Sequence, residues 1–489
     1  MRLRLLAVCA GPLLATLVFL LLPATYLDSG GLEIELTRAA RGTLALAAWM
    51  AAWWLTEAIP VPATALLPLA LFPLLGLADI DVVASAYAHP LIFLFFGGFL
   101  LSLAIEKWAL HTWIAHHVVA FAAGNARRLV GGFMLVTAGA SMWLSNTATT
   151  VMMLPIALSA IGEVERDAPA LAPAFSRCLL LGIAYAASIG GMGTLIGSPP
   201  NLFVASFLTE RFDYTLDFRG WMLLALPVVM VFLPLVWWLL TRVLAPVPAR
   251  LPLTPPAHRT AWGALPRGAR RVALVFALAV LAWMTRTALN AWEIGGMRPF
   301  AALSDTGVAM LAGLALFVVP DGAGRGARLM QWEDAERLPM GTLILFGGGL
   351  ALAATISATG ADRFIGAQLV ALRGVPAWCV MLAVVAGVVF LTELTSNIAT
   401  TTTLAPILAA AALASGLDVV GIVVVTALAA SAAFMLPVAT PPNAIVFGSG
   451  RVSVTDMARA GFLVNLLAIT LVTLLAVWWM PQVLPPLAR

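Results

Sequence analysis

Charge is scarce: only 10% of the 489 residues are charged, against 62% hydrophobic ones. A soluble domain of that size needs far more charge to cover its surface, so that class is excluded. Cysteine is scarcer still. Cys9, Cys178 and Cys379 lie singly in apolar stretches, which leaves no disulfide framework and no structural zinc set. No basic stripe interleaves with aromatics, so nothing suggests a nucleic-acid partner. The short alternating segments of a β-barrel are missing as well. No clustered acid, base, nucleophile or metal set marks a membrane enzyme. His111, His116 and His117 resemble one metal-binding box, but His89 and His258 form no second one. No cofactor is expected.

What is present is a succession of apolar runs long enough to cross a bilayer as helix. An all-α integral membrane fold follows, because each span must satisfy its own backbone. About eleven transmembrane spans are expected: 5–24, 42–59, 61–77, 90–106, 178–194 with a break, 220–242, 270–290, 303–319, 340–357, 419–438 with a break, and 461–484. The first of these fits an uncleaved span better than a signal peptide, its apolar run being long and lacking a small-x-small site. Two further segments, 129–160 and 376–414, are too long for one helix and polar at their centres. They read as re-entrant hairpins, since irregular backbone at membrane depth is tolerated where it lines a protein cavity. With the N-terminus cytoplasmic, 18 of the 27 Lys and Arg fall on the cytoplasmic side and 9 outside. That asymmetry predicts a multi-pass protein of the cell inner (plasma) membrane with its C-terminus outside.

An internal repeat divides the chain. Ser145-Asn146-Thr147-Ala148-Thr149-Thr150 returns 251 residues later as Ser396-Asn397-Ile398-Ala399-Thr400-Thr401, and Pro155 and Pro406 keep the offset. Phe96-Gly97-Gly98 returns as Phe346-Gly347-Gly348, and Ser198-Pro199-Pro200-Asn201 as Thr440-Pro441-Pro442-Asn443. Apart from the first span, each copy holds five spans and one hairpin, an odd count, so the second copy is inverted. Inverted repeats with two broken helices are the architecture of secondary transporters, with the site at the repeat interface. The two halves are expected to be joined by a cytoplasmic linker (246–269) rich in Arg and Pro.

The motifs supply hydroxyls, amides, free carbonyls and helix N-termini, but no cationic side chain. Helix N-termini suit anions, and each contributes only about 0.3–2 kcal/mol. Desolvating a dianion costs several kcal/mol per charge. Cations bound beside the anion close that gap, and the free carbonyls at the breaks near Gly197 and Ala439 are hard oxygen ligands for them. Glu57 and Glu393 lie at or in apolar segments, where a carboxylate is costly. Glu393 stands three residues before Ser396, placed to order the hairpin tip, to tune a nearby cation or to cap a helix.

These motifs resemble those of the divalent-anion:sodium symporter family of dicarboxylate, citrate and sulfate carriers. The matching stretches are Trp53-Trp54-Leu55-Thr56-Glu57-Ala58-Ile59-Pro60, Phe96-Gly97-Gly98-Phe99, Glu106-Lys107-Trp108, Ser145-Asn146-Thr147, Gly197-Ser198-Pro199-Pro200-Asn201, Ser396-Asn397 and Thr440-Pro441-Pro442-Asn443. The resemblance implies substrate contacts from Ser145, Asn146, Thr147, Ser396, Asn397, Thr440 and Pro441. It implies one sodium among Ser141, Ser145, Asn146 and the backbone near Gly197. A second falls among Thr392, Thr395, Asn397 and the backbone of Ala439. Ile398 stands where the family can carry Thr, which removes a hydroxyl from the second motif. The implied function is sodium-coupled import of small dianions such as succinate by a homodimeric elevator in the lipid bilayer, with a scaffold over 1–125 and 270–370 and a transport domain over 126–245 and 371–489. Sodium-independent exchange of dianions and transport of sulfate on the same fold stay open on the motifs alone.

Overall fold

The computed structural model describes residues 2–27, 32–110, 113, 117, 125–248, 262–324, 326–368 and 374–484. Most of the expected linker 246–269 lies outside them, as do His111 and His116. His117 is described, with Nδ1 2.8 Å from the Trp113 carbonyl oxygen.

The described chain is helical apart from one hairpin, β1 (Thr25–Leu27) paired antiparallel with β2 (Glu33–Glu35) in the register Tyr26 to Ile34. This hairpin joins α1 (Arg2–Leu21) to α2 (Arg38–Thr56). The two helices pack together, with Trp53 Nε1 donating to the Val8 carbonyl at 3.1 Å. The span expected over 61–77 is split into α3 (Val61–Thr64) and α4 (Leu67–Leu74). Pro68 is the cause: it has no N–H to give and its ring crowds the carbonyl four residues back. Next come α5 (Ile80–Tyr87) and α6 (Pro90–Lys107).

The first long polar-centred segment forms the expected hairpin, α7 (Ala126–Ser141) and α8 (Asn146–Asp167). The broken helix follows as α9 (Ala172–Gly191) and α10 (Pro199–Phe212), and the half closes with α11 (Phe218–Leu239). The second half begins with α12 (Arg267–Ala291), α13 (Asp305–Val318), α14 (Trp332–Ala335), α15 (Met340–Ala358) and α16 (Ala361–Gln368). Its hairpin is α17 (Ala377–Thr392) with α18 (Asn397–Ser415), its broken helix α19 (Val419–Ala430) with α20 (Pro441–Gly448), and its last long helix α21 (Val454–Leu474). Among the described residues, eight helical stretches are long and apolar enough to cross a membrane. Two of the eight are the hairpin arms Asn146–Asp167 and Asn397–Ser415, while spans such as Asp305–Val318 are shorter than the sequence suggested.

Packing sorts the helices into two cores. The larger contains α9 and α19, the first almost wholly and the second wholly buried. The smaller joins α2, α4 and α15 through Leu46, Met50, Trp54, Phe72, Leu345 and Leu352. Glycines set the closest approaches. A Cβ at Gly97 would lie 2.6 Å from the Ala309 backbone, and one at Gly98 3.2 Å from Ile196. A Cβ at Gly349 would lie 2.7 Å from the Phe203 ring and 3.2 Å from Thr402.

Candidate functional site

Both hairpins turn on the same local chemistry. Ser145 has extended backbone and its hydroxyl accepts from the Ala148 N–H at 3.2 Å, an N-cap that starts α8. Ser396 holds the matching place at the start of α18, but its side chain makes no cap bond. The breaks end in the same way, with Ser198 and Thr440 in extended backbone ahead of Pro199-Pro200 and Pro441-Pro442. Proline suits the first helical turn because its φ is preset and its missing N–H is one the helix leaves unpaired.

Four helix N-termini therefore meet at one place. A cavity of about 880 Å³ is lined by Ser145, Asn146 and Thr147, by Gly197 through Pro200, by Thr395 through Ile398, and by Ala439 through Pro442. All seven expected substrate contacts line it: Ser145, Asn146, Thr147, Ser396, Asn397, Thr440 and Pro441. Of the residues expected around cations, Gly197, Thr395 and Ala439 also line it, while Ser141 and Thr392 are buried behind it. The remaining wall includes Phe95, Phe99, Ile398, Val438, Thr342 and Glu57. Among the described residues neither Lys nor Arg reaches the lining.

Behind each tip, oxygen atoms converge. Ser141 Oγ donates to Asn146 Oδ1 at 2.6 Å. Gly191 and Gly197 face the same spot: a Cβ at Gly191 would lie 2.5 Å from Asn146 Oδ1 and 3.0 Å from the Gly197 carbonyl oxygen. A Cβ at Gly197 would lie 2.7 Å from the Gly191 carbonyl oxygen and 3.1 Å from that of Met142. Two glycines thus leave open a cradle rimmed by oxygens, the ligand type of a hard cation. In the second unit Thr392 Oγ1 lies 2.8 Å from Asn397 Oδ1 and 2.9 Å from the Ala430 carbonyl oxygen. Thr395 Oγ1 lies 2.6 Å from Thr400 Oγ1 and donates to the Leu391 carbonyl at 2.9 Å.

Two asparagines that the sequence offered only as motif letters prove to be the struts of the breaks. Asn201 Nδ2 donates to the carbonyls of Gly191 at 2.9 Å and Thr194 at 2.8 Å. Asn443 Nδ2 donates to Ala433 at 3.2 Å and Leu436 at 3.0 Å, both 242 residues on from the first pair. The sequence signal for this was the shared offset of the two Pro-Pro-Asn motifs. Trp221 Nε1 adds a bond to the Met192 carbonyl at 2.9 Å. Backbone freed by the breaks is thereby satisfied within the protein.

Glu393 orders the second break rather than capping a helix. Its Oε1 accepts from the N–H groups of Phe434 at 2.7 Å and Met435 at 2.9 Å, and from Asn465 Nδ2 at 2.8 Å. Its Oε2 accepts from the Leu436 N–H at 3.0 Å. The desolvation of this buried carboxylate is offset by four charge-assisted bonds.

Comparison with known proteins speaks to the family and the fold. The family described as the sodium:sulfate symporter transmembrane region matches residues 8–484. A sodium-dependent dicarboxylate transporter of Staphylococcus saprophyticus subsp. saprophyticus is 38% identical over 493 residues, spanning 98% of this chain and 92% of its own length. The corresponding transporter of Staphylococcus aureus (strain USA300) has the same identity and coverage. The crystal structure of the Alcanivorax borkumensis YdaH transporter aligns with a TM-score of 0.60 over 100% of this chain and 99% of that one. Its sequence identity is 15%, so the likeness is one of fold.

Proposed function

The chain belongs to the sodium:sulfate symporter family, and from that premise we propose that it is a sodium-coupled importer of small dianions, C4-dicarboxylates such as succinate. The observation that carries this is the cavity itself, where four helix N-termini and two rims of oxygen meet without one basic side chain. Four helix ends contribute roughly 1–8 kcal/mol together, which meets the several kcal/mol per charge that a desolvated dianion requires only at the top of that range. Cations in the two cradles supply the remainder.

On this reading Ser145, Asn146, Thr147, Ser396, Asn397, Thr440 and Pro441 hold the dianion. Ser141, Ser145, Asn146 and Gly197 hold one sodium, and Thr392, Thr395, Asn397 and Ala439 the other. The asparagine amides serve both kinds of ion, Oδ1 toward the cation and Nδ2 toward a carboxylate. A bound cation reorganises the Ser141–Asn146 and Thr392–Asn397 bonds and so shapes the tip that receives the anion. The two units carrying these residues (126–245 and 371–489) move as the transport domain of an elevator against a scaffold (1–125 and 270–370), in a homodimer. The N-terminus is cytoplasmic and the C-terminus outside. The ion pairs support that sorting, because Lys107–Asp334, Arg177–Asp456 and Arg451–Glu165 join loops assigned to the cytoplasm. Arg211–Asp362 and Arg286–Asp217 join loops assigned to the outside.

Dianion entry against an inside-negative potential costs about 2.3 kcal/mol per charge per 100 mV, and co-transport of more than two sodium ions reverses that sign. Uptake of labelled succinate into empty proteoliposomes, under a potassium–valinomycin potential with sodium or choline outside, is the test. Sodium-dependent uptake stimulated by the potential is expected, with citrate and sulfate as competitors to rank the cargo. Equal uptake in sodium and choline, with a demand for internal counter-substrate, would identify an exchanger instead.

A further inference from the structure

Among the residues lining the central cavity, a single side chain is ionisable, and its charge opposes that of the cargo. It is Glu57. The corner that presents it is built by sequence. Helix α2 ends at Thr56, Glu57 takes the left-handed conformation at φ 46° and ψ 39°, and Pro60 opens α3 in extended backbone. A residue with a Cβ enters that conformation at a cost that glycine avoids. The corner is also pinned, since the fully buried Trp54 donates from Nε1 to the Val61 carbonyl at 3.2 Å. Among the described residues the Glu57 side chain has no hydrogen bond and no ion pair, so its charge is left to act on the cavity. It shares the cavity's lining with Leu394, Thr395 and Ser396 of the second hairpin tip.

A fixed negative charge sorts occupants by their total charge. A dianion arriving alone is repelled. A dianion with two sodium ions is neutral to it, and one with three is attracted. We propose that Glu57 is a selectivity residue that disfavours the anion-loaded, cation-free site and so keeps dianion movement tied to sodium. The proposal rests on the sodium-coupled reading above, in which α2 belongs to the stationary scaffold. A carboxylate held there does not travel with the cargo, so every loaded site is exposed to it.

The test compares wild type with Glu57→Gln and Glu57→Asp in proteoliposomes, measuring labelled succinate uptake in sodium and in choline at equal ionic strength. Glu57→Gln is expected to raise the sodium-free fraction of uptake roughly tenfold, the order of one unit charge acting through a water-filled cavity. Glu57→Asp is expected to keep the wild-type fraction. A purely structural corner would lower uptake in both media and leave their ratio unchanged, which overturns the proposal. Sodium-independent uptake by the wild type would instead overturn the coupling reading on its own. If Glu57→Gln does not yield a folded carrier, Glu57→Gly removes the same charge at a left-handed position that glycine adopts without strain. A raised sodium-free fraction in that variant supports the proposal, and an unchanged one rejects it.

Discussion

In the first hairpin-and-break unit the loop between α9 and α10 is tied back by hydroxyls. Thr194 Oγ1 donates to the Met142 carbonyl and accepts from the Gly197 N–H at 3.0 Å. The second unit places Glu393 where the 251-residue offset puts Met142 in the first, and a carboxylate gathers three consecutive N–H groups of its loop. The cradles differ in the same spirit. Gly191 and Gly197 leave open space in the first unit, while Ala433 and Ala439 stand at the matching positions of the second. The tips differ by Thr147 against Ile398. Duplication thus preserved the geometry that aims four helix ends at one cavity, while the fastenings diverged. Positions that share a plan need not share a tolerance to mutation.

The largest effects are expected where the two units agree. Asn146→Ala and Asn397→Ala each remove an amide that on the proposed reading serves anion and cation at once. Each should reduce succinate uptake by at least about 100-fold, the scale of one or two lost charge-assisted bonds at roughly 1.5–3 kcal/mol apiece. Size-exclusion profiles should stay at wild type. Near-normal transport in one of the pair would show that the units are functionally unequal.

A second pair separates the cradles. Gly191→Ala puts a methyl 2.5 Å from Asn146 Oδ1, so it should raise the sodium concentration for half-maximal uptake about tenfold or more, a shift of roughly 1.4 kcal/mol. The reciprocal change Ala433→Gly only enlarges a space already shaped for alanine, and costs about 1 kcal/mol of helix-break rigidity at most. Similar sodium titrations for the two variants would remove the distinction drawn between the cradles.

A third pair concerns stability rather than transport. Glu393→Gln keeps one acceptor oxygen but loses the charge and leaves buried N–H groups weakly paired, at a cost of about 2–3 kcal/mol. Thr194→Val breaks two neutral bonds and should cost about 1–2 kcal/mol. Thermal unfolding in detergent, followed by tryptophan fluorescence, ranks them. A larger loss for Thr194→Val would place the stronger fastening in the first unit.

Sequence reading went furthest where chemistry was written twice. The paired Ser-Asn and Pro-Pro-Asn motifs located both hairpins, both breaks and the expected lining of the cavity, because a repeat filters out coincidence. It stopped where a contact joins residues without a shared motif. The three backbone partners of Glu393 lie about 40 residues downstream in a loop with no donor side chain to flag them. Thr194 was invisible for the same reason, as a hydroxyl acting on a backbone oxygen leaves no pattern. The division of the 61–77 span was legible in Pro68 and was overridden by the continuous apolar run around it. The β1–β2 pairing is three residues a side, too short to show a period.

Two of the glycines at close helix approaches bear on kinetics if the carrier is an elevator. Helices ordinarily lock by ridges of side chains seated in grooves, and moving one past another means lifting each ridge over the next. At Gly98 and Gly349 the ridge is missing, and Ile196, Phe203 and Thr402 rest against bare backbone. A contact of that kind offers little friction. On the elevator reading, resistance to motion along it comes from the ions and water at the cavity rather than from steric interlock, and a side chain added at either glycine is expected to slow turnover while leaving what is bound to the tips.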